Sequence, residues 1–221
     1  MAIGSAPGTR FGEAWTALNA LIEGEGSARE PHARLLGAAG ASTRDIADAV
    51  HCLCMLHGRH PGVIDHAGGR SPDTLVGAWL ADAAHAFGGE RAALVRVVAA
   101  SGPLPSTPGQ AESETAITAQ RHALDMLGAS DRAGCPVGAA MALLLDWPTV
   151  RLVLDVAAER FGVTLPASTL PTDHDGATLV ATLAESPAFE RAMLFGAQQL
   201  LAQHRALWQL LEARAEARGG Y

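Results

Sequence analysis

The sequence predicts an all-α protein, a single-domain bundle of about seven to nine helices, and three observations carry that prediction. Apolar residues recur at helical spacing in every segment long enough to read. Alternating β-type stretches of Val, Ile and aromatic residues are nearly absent, and glycines, prolines and capping residues punctuate the chain at helix-length intervals. The 221 residues are 48% hydrophobic, which at roughly 100–200 residues per domain suits one domain with a sizeable core. The bundle is expected over residues 9–218, with residues 1–8 disordered ahead of it.

Phe11, Trp15, Leu18 and Ile22 share one face of a first helix that ends in the glycines of EGEG. Ser42 and Asp45 have capping-box spacing and open a second helix that runs to His57, where Gly58 and then Pro61 stop it. A third helix is expected from Asp73 through Phe87. The GGE that follows separates it from a fourth carrying Leu94, Val95, Val97 and Val98. Residues 101–114, SGPLPSTPGQAESE, read as a proline-stiffened loop leading into a helix with Thr107 as N-cap, Pro108 at N1 and Gln110 at N3. Ile117, Leu124 and Leu127 form its stripe.

From Gly134 to Val163 the pattern gives two helices split near Asp146 and Pro148. The first is almost wholly apolar from Val137 to Leu145 and is the expected centre of the core. A polar loop around residues 169–176 and a short helix precede Ser186 and Pro187, an N-cap and N1 pair. They open a last helix whose stripe runs Phe189, Met193, Gly196, Leu200, His204, Leu207 and Leu211. Its charged end, LEARAEARGGY, places Glu212 with Glu216 and Arg214 with Arg218 as like-charge pairs at i,i+4, which an isolated helix disfavours. A frayed, solvated terminus or a docking surface is the expectation there.

Composition excludes several functions. The formal net charge of −7 comes without any concentration of base, so nucleic acid is not an expected partner. All 16 basic residues are arginine, which rules out a Schiff-base lysine and a lysine-bearing phosphate loop. Cys52, Cys54 and Cys135 are odd in number, and the first two are too close on a helix to pair. A reducing cytoplasm is therefore the expected compartment. No leader pattern and no membrane span of about 18 uninterrupted apolar residues is read, so a membrane is not expected as partner.

The densest chemistry is HCLCMLHGRHPGVIDH, residues 51–66. With Asp45 and Asp48 upstream it forms a three-residue ladder through His51, Cys54, His57 and His60. Each step of three leaves neighbouring rungs about 60° apart around the axis, so one helix cannot converge them on a tetrahedral metal. No metal site is assigned. His51 is expected beside Asp48 with its ring hydrogen-bonded, and His57 at the helix C-terminus, where a partial positive charge complements the free carbonyls. Beyond the stop, His60, Asp65 and His66 sit in a tight loop that either holds a ligand or is a polar turn with Asp65 capping a short helix.

Polar residues on apolar stripes are the second clue. Gln120 and His204 should face the interior, as part of a structural network or of a pocket lining. Around Asp131, the run ASDRAGCPVG carries a G-x-x-x-G spacing, Gly134 to Gly138, that allows close approach of another helix. Cys135 has no local signature of a nucleophile.

LCMLHGRHPGVIDHA, PSTPGQAESE, QRHALDML and SDRAGC resemble recurrent segments of an uncharacterised alphaproteobacterial family, a domain of unknown function, over residues 10–165. That family implies no activity. Helix number and lengths alone resemble the heme-oxygenase and thiaminase-type bundles, which hold a ligand between helices; no motif of those families is matched. The function expected is a small-molecule-binding helical bundle, with an enzyme as one form of it. Its ligand residues would be His57, His60, Asp65, His66, Gln120, His122 and Asp131. Catalytic residues and cofactor stay unassigned, and homo-oligomerisation is left open. The competing class is a regulatory or interaction protein that docks a partner through its helices.

Overall fold

The computed structural model describes residues 7–69, 75–132, 134–171 and 186–219. Those residues form eight α-helices and one 3-10 turn, with no strand among them. In chain order the helices are α1 (Pro7–Glu25), α2 (Pro31–Leu36), α3 (Thr43–His57), α4 (Val63–Gly69), α5 (Leu75–Ser101), α6 (Gln110–Gly128), α7 (Gly134–Arg160) and α8 (Pro187–Gly219). The 3-10 turn, Ser27–Arg29, links α1 to α2. The all-α bundle read from the sequence is the fold. The first helix already includes Pro7 and Gly8, two residues inside the span expected to be disordered. Residues 1–6, the start of the third expected helix at Asp73 and the short helix expected before Ser186 lie outside the described residues, as does the Phe11 side chain.

α7 is the centre of the core. Every residue from Gly134 to Leu144 is buried, and Trp147, Val150, Val153 and Leu154 continue the buried surface into its second half. Two helices were expected here, but one forms. Pro148 lies on the exposed side of α7, and the apolar area buried on either side of it outweighs the roughly 3 kcal/mol an interior proline costs. By length and hydropathy α7 could cross a membrane, yet 72% of its most apolar stretch is buried inside the bundle.

α5 is likewise continuous where a break was expected at Gly88 and Gly89. Leu80, Ala83 and Phe87 before the glycines and Leu94 and Val97 after them are all buried. Glu90, between the two apolar sets, is held by the Trp147 indole at 3.0 Å and the Arg151 guanidinium at 3.0 Å. Two glycines cost about 1 kcal/mol each in a helix, less than this anchoring supplies.

α7 and α8 pack most extensively against each other. At Gly138 a Cβ would fall 1.8 Å from the Met193 carbonyl oxygen, at Gly134 2.4 Å from that of Phe189, and at Gly196 2.0 Å from that of Cys135. The helices therefore touch backbone to backbone, which is the use expected of the G-x-x-x-G spacing. The caps read at both ends of α3 form: Ser42 Oγ accepts from the Asp45 amide and Gly58 is the C-cap. Ser186 Oγ accepts from the Phe189 amide at the start of α8.

The N-cap assigned to Thr107 does not form. α6 starts at Gln110, and its N-cap is Gly109 in the left-handed region, φ 73°. The Thr107 hydroxyl is buried and accepts from Arg214 Nη2 and Arg218 Nη1. A side chain drawn inward by two guanidinium groups cannot also serve the amides of α6.

Candidate functional site

The three-residue ladder on α3 disperses as its helical angle requires, and most of its rungs reach different neighbours. His51 Nε2 pairs with the Gly102 carbonyl at 2.9 Å instead of with Asp48. Asp45 receives Arg218, while Asp48, wholly buried, receives Arg214 and Arg218. His57 meets His204. Since 45 pairs with 218, 48 with 214 and 57 with 204, α3 and α8 run antiparallel. The like-charged end of α8 is therefore folded down on two aspartates, and the frayed terminus expected from its charge pattern does not form, since the helix continues to Gly219.

The pairing at His57 belongs to a longer chain of hydrogen bonds through the core. Asp146, on α7, accepts from the Ser27 amide at 2.7 Å, the Ser27 hydroxyl at 2.5 Å and His204 Nδ1 at 2.6 Å. Ser27 Oγ in turn accepts from the Trp208 indole at 2.7 Å. Gly26 makes this approach possible, because a Cβ there would lie 2.7 Å from the Asp146 carboxylate. His204 Nε2 then faces His57 Nε2 at 3.0 Å. Burial alone would raise the Asp146 carboxyl, but hydrogen bonds from His204 and Ser27 and the His204 charge hold it below the usual carboxylate range. Burial, then His204 and Arg91, pushes His57 well below an ordinary histidine. The expected role of His57 as a partial cation on the helix carbonyls is thereby overturned: 6% exposed, it is held neutral.

A carboxylate only accepts, so His204 Nδ1 carries the proton in its bond to Asp146. One further proton is shared between the two Nε2 atoms. With Nε2 engaged, Nδ1 is the His57 nitrogen left for other chemistry. Trp147 stands edge-on to the His57 ring with centroids 5.5 Å apart, and Phe87 packs on Trp147 at 4.6 Å.

His57 also lines a cleft of about 490 Å³ between α3, α4, α5 and α6, within the range typical of small-molecule sites. Leu56, Val63, Phe87, Leu124 and Leu143 supply apolar wall; Arg59, His60, His66, Arg91, Arg121 and Asp125 supply polar groups. Asp65 stands behind the cleft. Its carboxylate accepts from the Gly62 amide at 2.7 Å, which ties down the start of α4, and from Arg91 at 2.5 Å, with His60 at 3.4 Å. The capping role read for Asp65 is the one it plays. The His66 ring lies against Gly128, where a Cβ would meet it at 3.0 Å.

Of the residues expected to hold a ligand, His57, His60 and His66 line this cleft, and Asp65 positions Arg91 within it. The other three are not among its lining residues. Gln120 is buried with its side-chain oxygen lacking a hydrogen-bond partner among the described residues; His122 and Asp131 are exposed. Ser27, Arg91 and Asp146 were missed. Asp146 carried the clearest signal, a lone acid inside an apolar run, and was read as a helix break. Among the described residues no group of three or more His, Cys, Asp or Glu is placed to hold a metal ion. The three cysteines are free, and burial, with Asp48 nearby, pushes the Cys52 thiol up to about 12.

The model of a family of unknown function, DUF6975, matches residues 22–219, and the chain belongs to that family. No curated protein and no solved structure matches it significantly. The membership agrees with the resemblance to an uncharacterised family; the alphaproteobacterial assignment and the likeness to heme-oxygenase bundles draw no support from it.

Proposed function

We propose that this member of DUF6975 binds a small molecule in the α3–α4–α5–α6 cleft and exchanges a proton with it through His57, as an acid–base enzyme does. The observation that carries the reading is the Asp146–His204–His57 chain, which begins at a carboxylate sealed in the core and ends at a residue of the cleft wall. A proton accepted at His57 Nδ1 releases the Nε2 proton to His204 Nε2. The charge then rests on His204, 2.6 Å from the Asp146 carboxylate, and reversal returns the proton to the bound molecule. The carboxylate orients the imidazole and stabilises its cationic form, as a buried acid does behind a catalytic histidine. The alternative of a docking protein loses its main support, because Arg214 and Arg218 are engaged inside the bundle. The free thiols suit the cytoplasmic setting expected from composition.

The test is mass spectrometry of small molecules that co-purify with the full chain, followed by incubation of the recovered molecule with the protein in D2O. Wild type should retain a molecule that His57→Gln loses, and that molecule should trade a non-labile hydrogen for deuterium as the proton passes to His57 and returns. Binding in the cleft with no deuterium gained would remove the relay. A folded His57→Gln protein retaining the same molecule would remove the site.

A further inference from the structure

What the cleft accepts is legible in Arg91. Its guanidinium stands over the Phe87 ring, 5.0 Å from the centroid, and gives Nη2 to Asp65. The side chain is 9% exposed, and Nε is buried without a hydrogen-bond partner among the described residues. That atom has no accessible surface to offer an occupant, but Asp65 is the one hydrogen-bond partner of the guanidinium among the described residues, so the terminal N–H groups of this lining arginine keep donor capacity for an acceptor brought into the cleft. Charge narrows the choice. Arg59, Arg91, Arg121 and Asp125 line the cleft, and Asp65 stands behind it paired with Arg91, which leaves one positive charge in excess when the histidines are neutral. A monoanion balances that excess and a phosphate dianion overshoots it. Next to the cation lies apolar wall from Phe87, Leu124 and Leu143, which a bare inorganic anion would leave uncovered.

We infer that the cleft takes a small monocarboxylate with a compact apolar body, its carboxylate accepting from Arg91 and its body lying against Phe87, Leu124 and Leu143. This rests on the small-molecule reading above and adds the class of molecule. Arginine meets a carboxylate through charge-assisted, directional hydrogen bonds, so the acid is preferred to its amide, which presents one carbonyl and no charge.

The probes are phenylacetate, hexanoate, their two amides and inorganic phosphate, each titrated into the full 15N-labelled chain and followed by amide chemical shifts. The acids should shift the backbone of residues 56–63 and 124–129 and bind about tenfold or more tightly than the amides. Arg91→Gln should abolish that preference. Because Arg91 also braces Asp65, Arg121→Gln serves as a second variant and should weaken the acids about twofold to threefold while sparing the amides. Amides shifting the same residues as readily as the acids would overturn the carboxylate inference and leave the cleft as a small-molecule site. Phosphate binding there in preference to the acids would overturn it too. Silence from all five probes would overturn it as well, and the co-purification experiment then decides separately whether the cleft binds anything.

Discussion

α3 and α8 meet twice through buried polar groups, and the two meetings use opposite chemistry. Toward the start of α3, Asp45 and Asp48 receive Arg214 and Arg218, cations that do not release a proton in a protein. Nine residues further along α3, His57 meets His204, and every member of that chain back to Asp146 can gain or lose one. The first cluster is closed but for one atom: both Asp48 oxygens are engaged and Thr107 and Gln110 add acceptors for Arg214, whose Nη1 is buried without a hydrogen-bond partner among the described residues. The second opens on a cleft. One helix pair thus carries a fixed charge lock at one end and a chain of ionisable groups at the other, and only the second reaches a cleft-lining residue.

The largest expected effect breaks the lock. Arg214→Met removes two of the hydrogen bonds to Asp48, which is 0% exposed, and leaves Arg218 as its remaining cation. Leaving a buried carboxylate partly unpaired costs about 3–5 kcal/mol, read as a lower urea midpoint at pH 7. A loss under about 1 kcal/mol would mean that Arg218 alone suffices and that the cluster is less closed than its geometry implies.

The next effect belongs to the titratable end. His57 is depressed below 6.5 in the folded chain while the unfolded chain protonates near that value. Below pH 6.5 the unfolded state therefore binds more protons, and stability falls as pH drops, with a slope up to about 1.4 kcal/mol per pH unit. Above pH 6.5 this contribution is fully present. Asp146 has the same sign but acts lower, since its folded value lies under 3.8. His57→Gln should flatten the curve as pH falls from 6.5, whereas Arg214→Met should already lower it at pH 7, where the His57 contribution is fully present. Parallel curves for wild type and His57→Gln would erase the distinction between the two ends.

The smallest effect sharpens the lock. Thr107→Ala deletes an acceptor for both arginines and should cost about 1 kcal/mol, with Thr107→Ser retaining most of it. Calorimetric midpoints of the three proteins check the order.

Local pattern carried the fold well where caps and stripes agree, as at Ser42 to Gly58 and from Ser186 through α8. It misread the places where tertiary burial overrides a breaker. The glycines before Glu90 and the proline at 148 are breakers by propensity, and both sit in helices whose flanks are too deeply packed to separate. The site was legible in part for the same reason. His57, His60 and His66 are neighbours in sequence, so their clustering shows without a structure. His204 showed as a polar residue on an apolar stripe. The partnership of residues 27, 57, 146 and 204 depends on how four distant segments pack, which no spacing encodes. Gln120, His122 and Asp131 were placed at the cleft by chemistry alone, and the rotation of α6 turns His122 outward while Leu124 reaches the cleft instead.

The glycine contact between α7 and α8 sets a tolerance for the proposed proton path. Gly138 and Gly196 each precede their relay residue, Asp146 and His204, by eight positions, about 12 Å of helix. The two rods run side by side from the point where their backbones touch to the point where the carboxylate meets the imidazole. A wedge at that point, even a single methyl group, would splay them like the blades of scissors. Transfer between heavy atoms 2.6 and 3.0 Å apart fails when the gap opens by an ångström, so the timing of a proton in the core would be governed from a spot that carries no ionisable group at all.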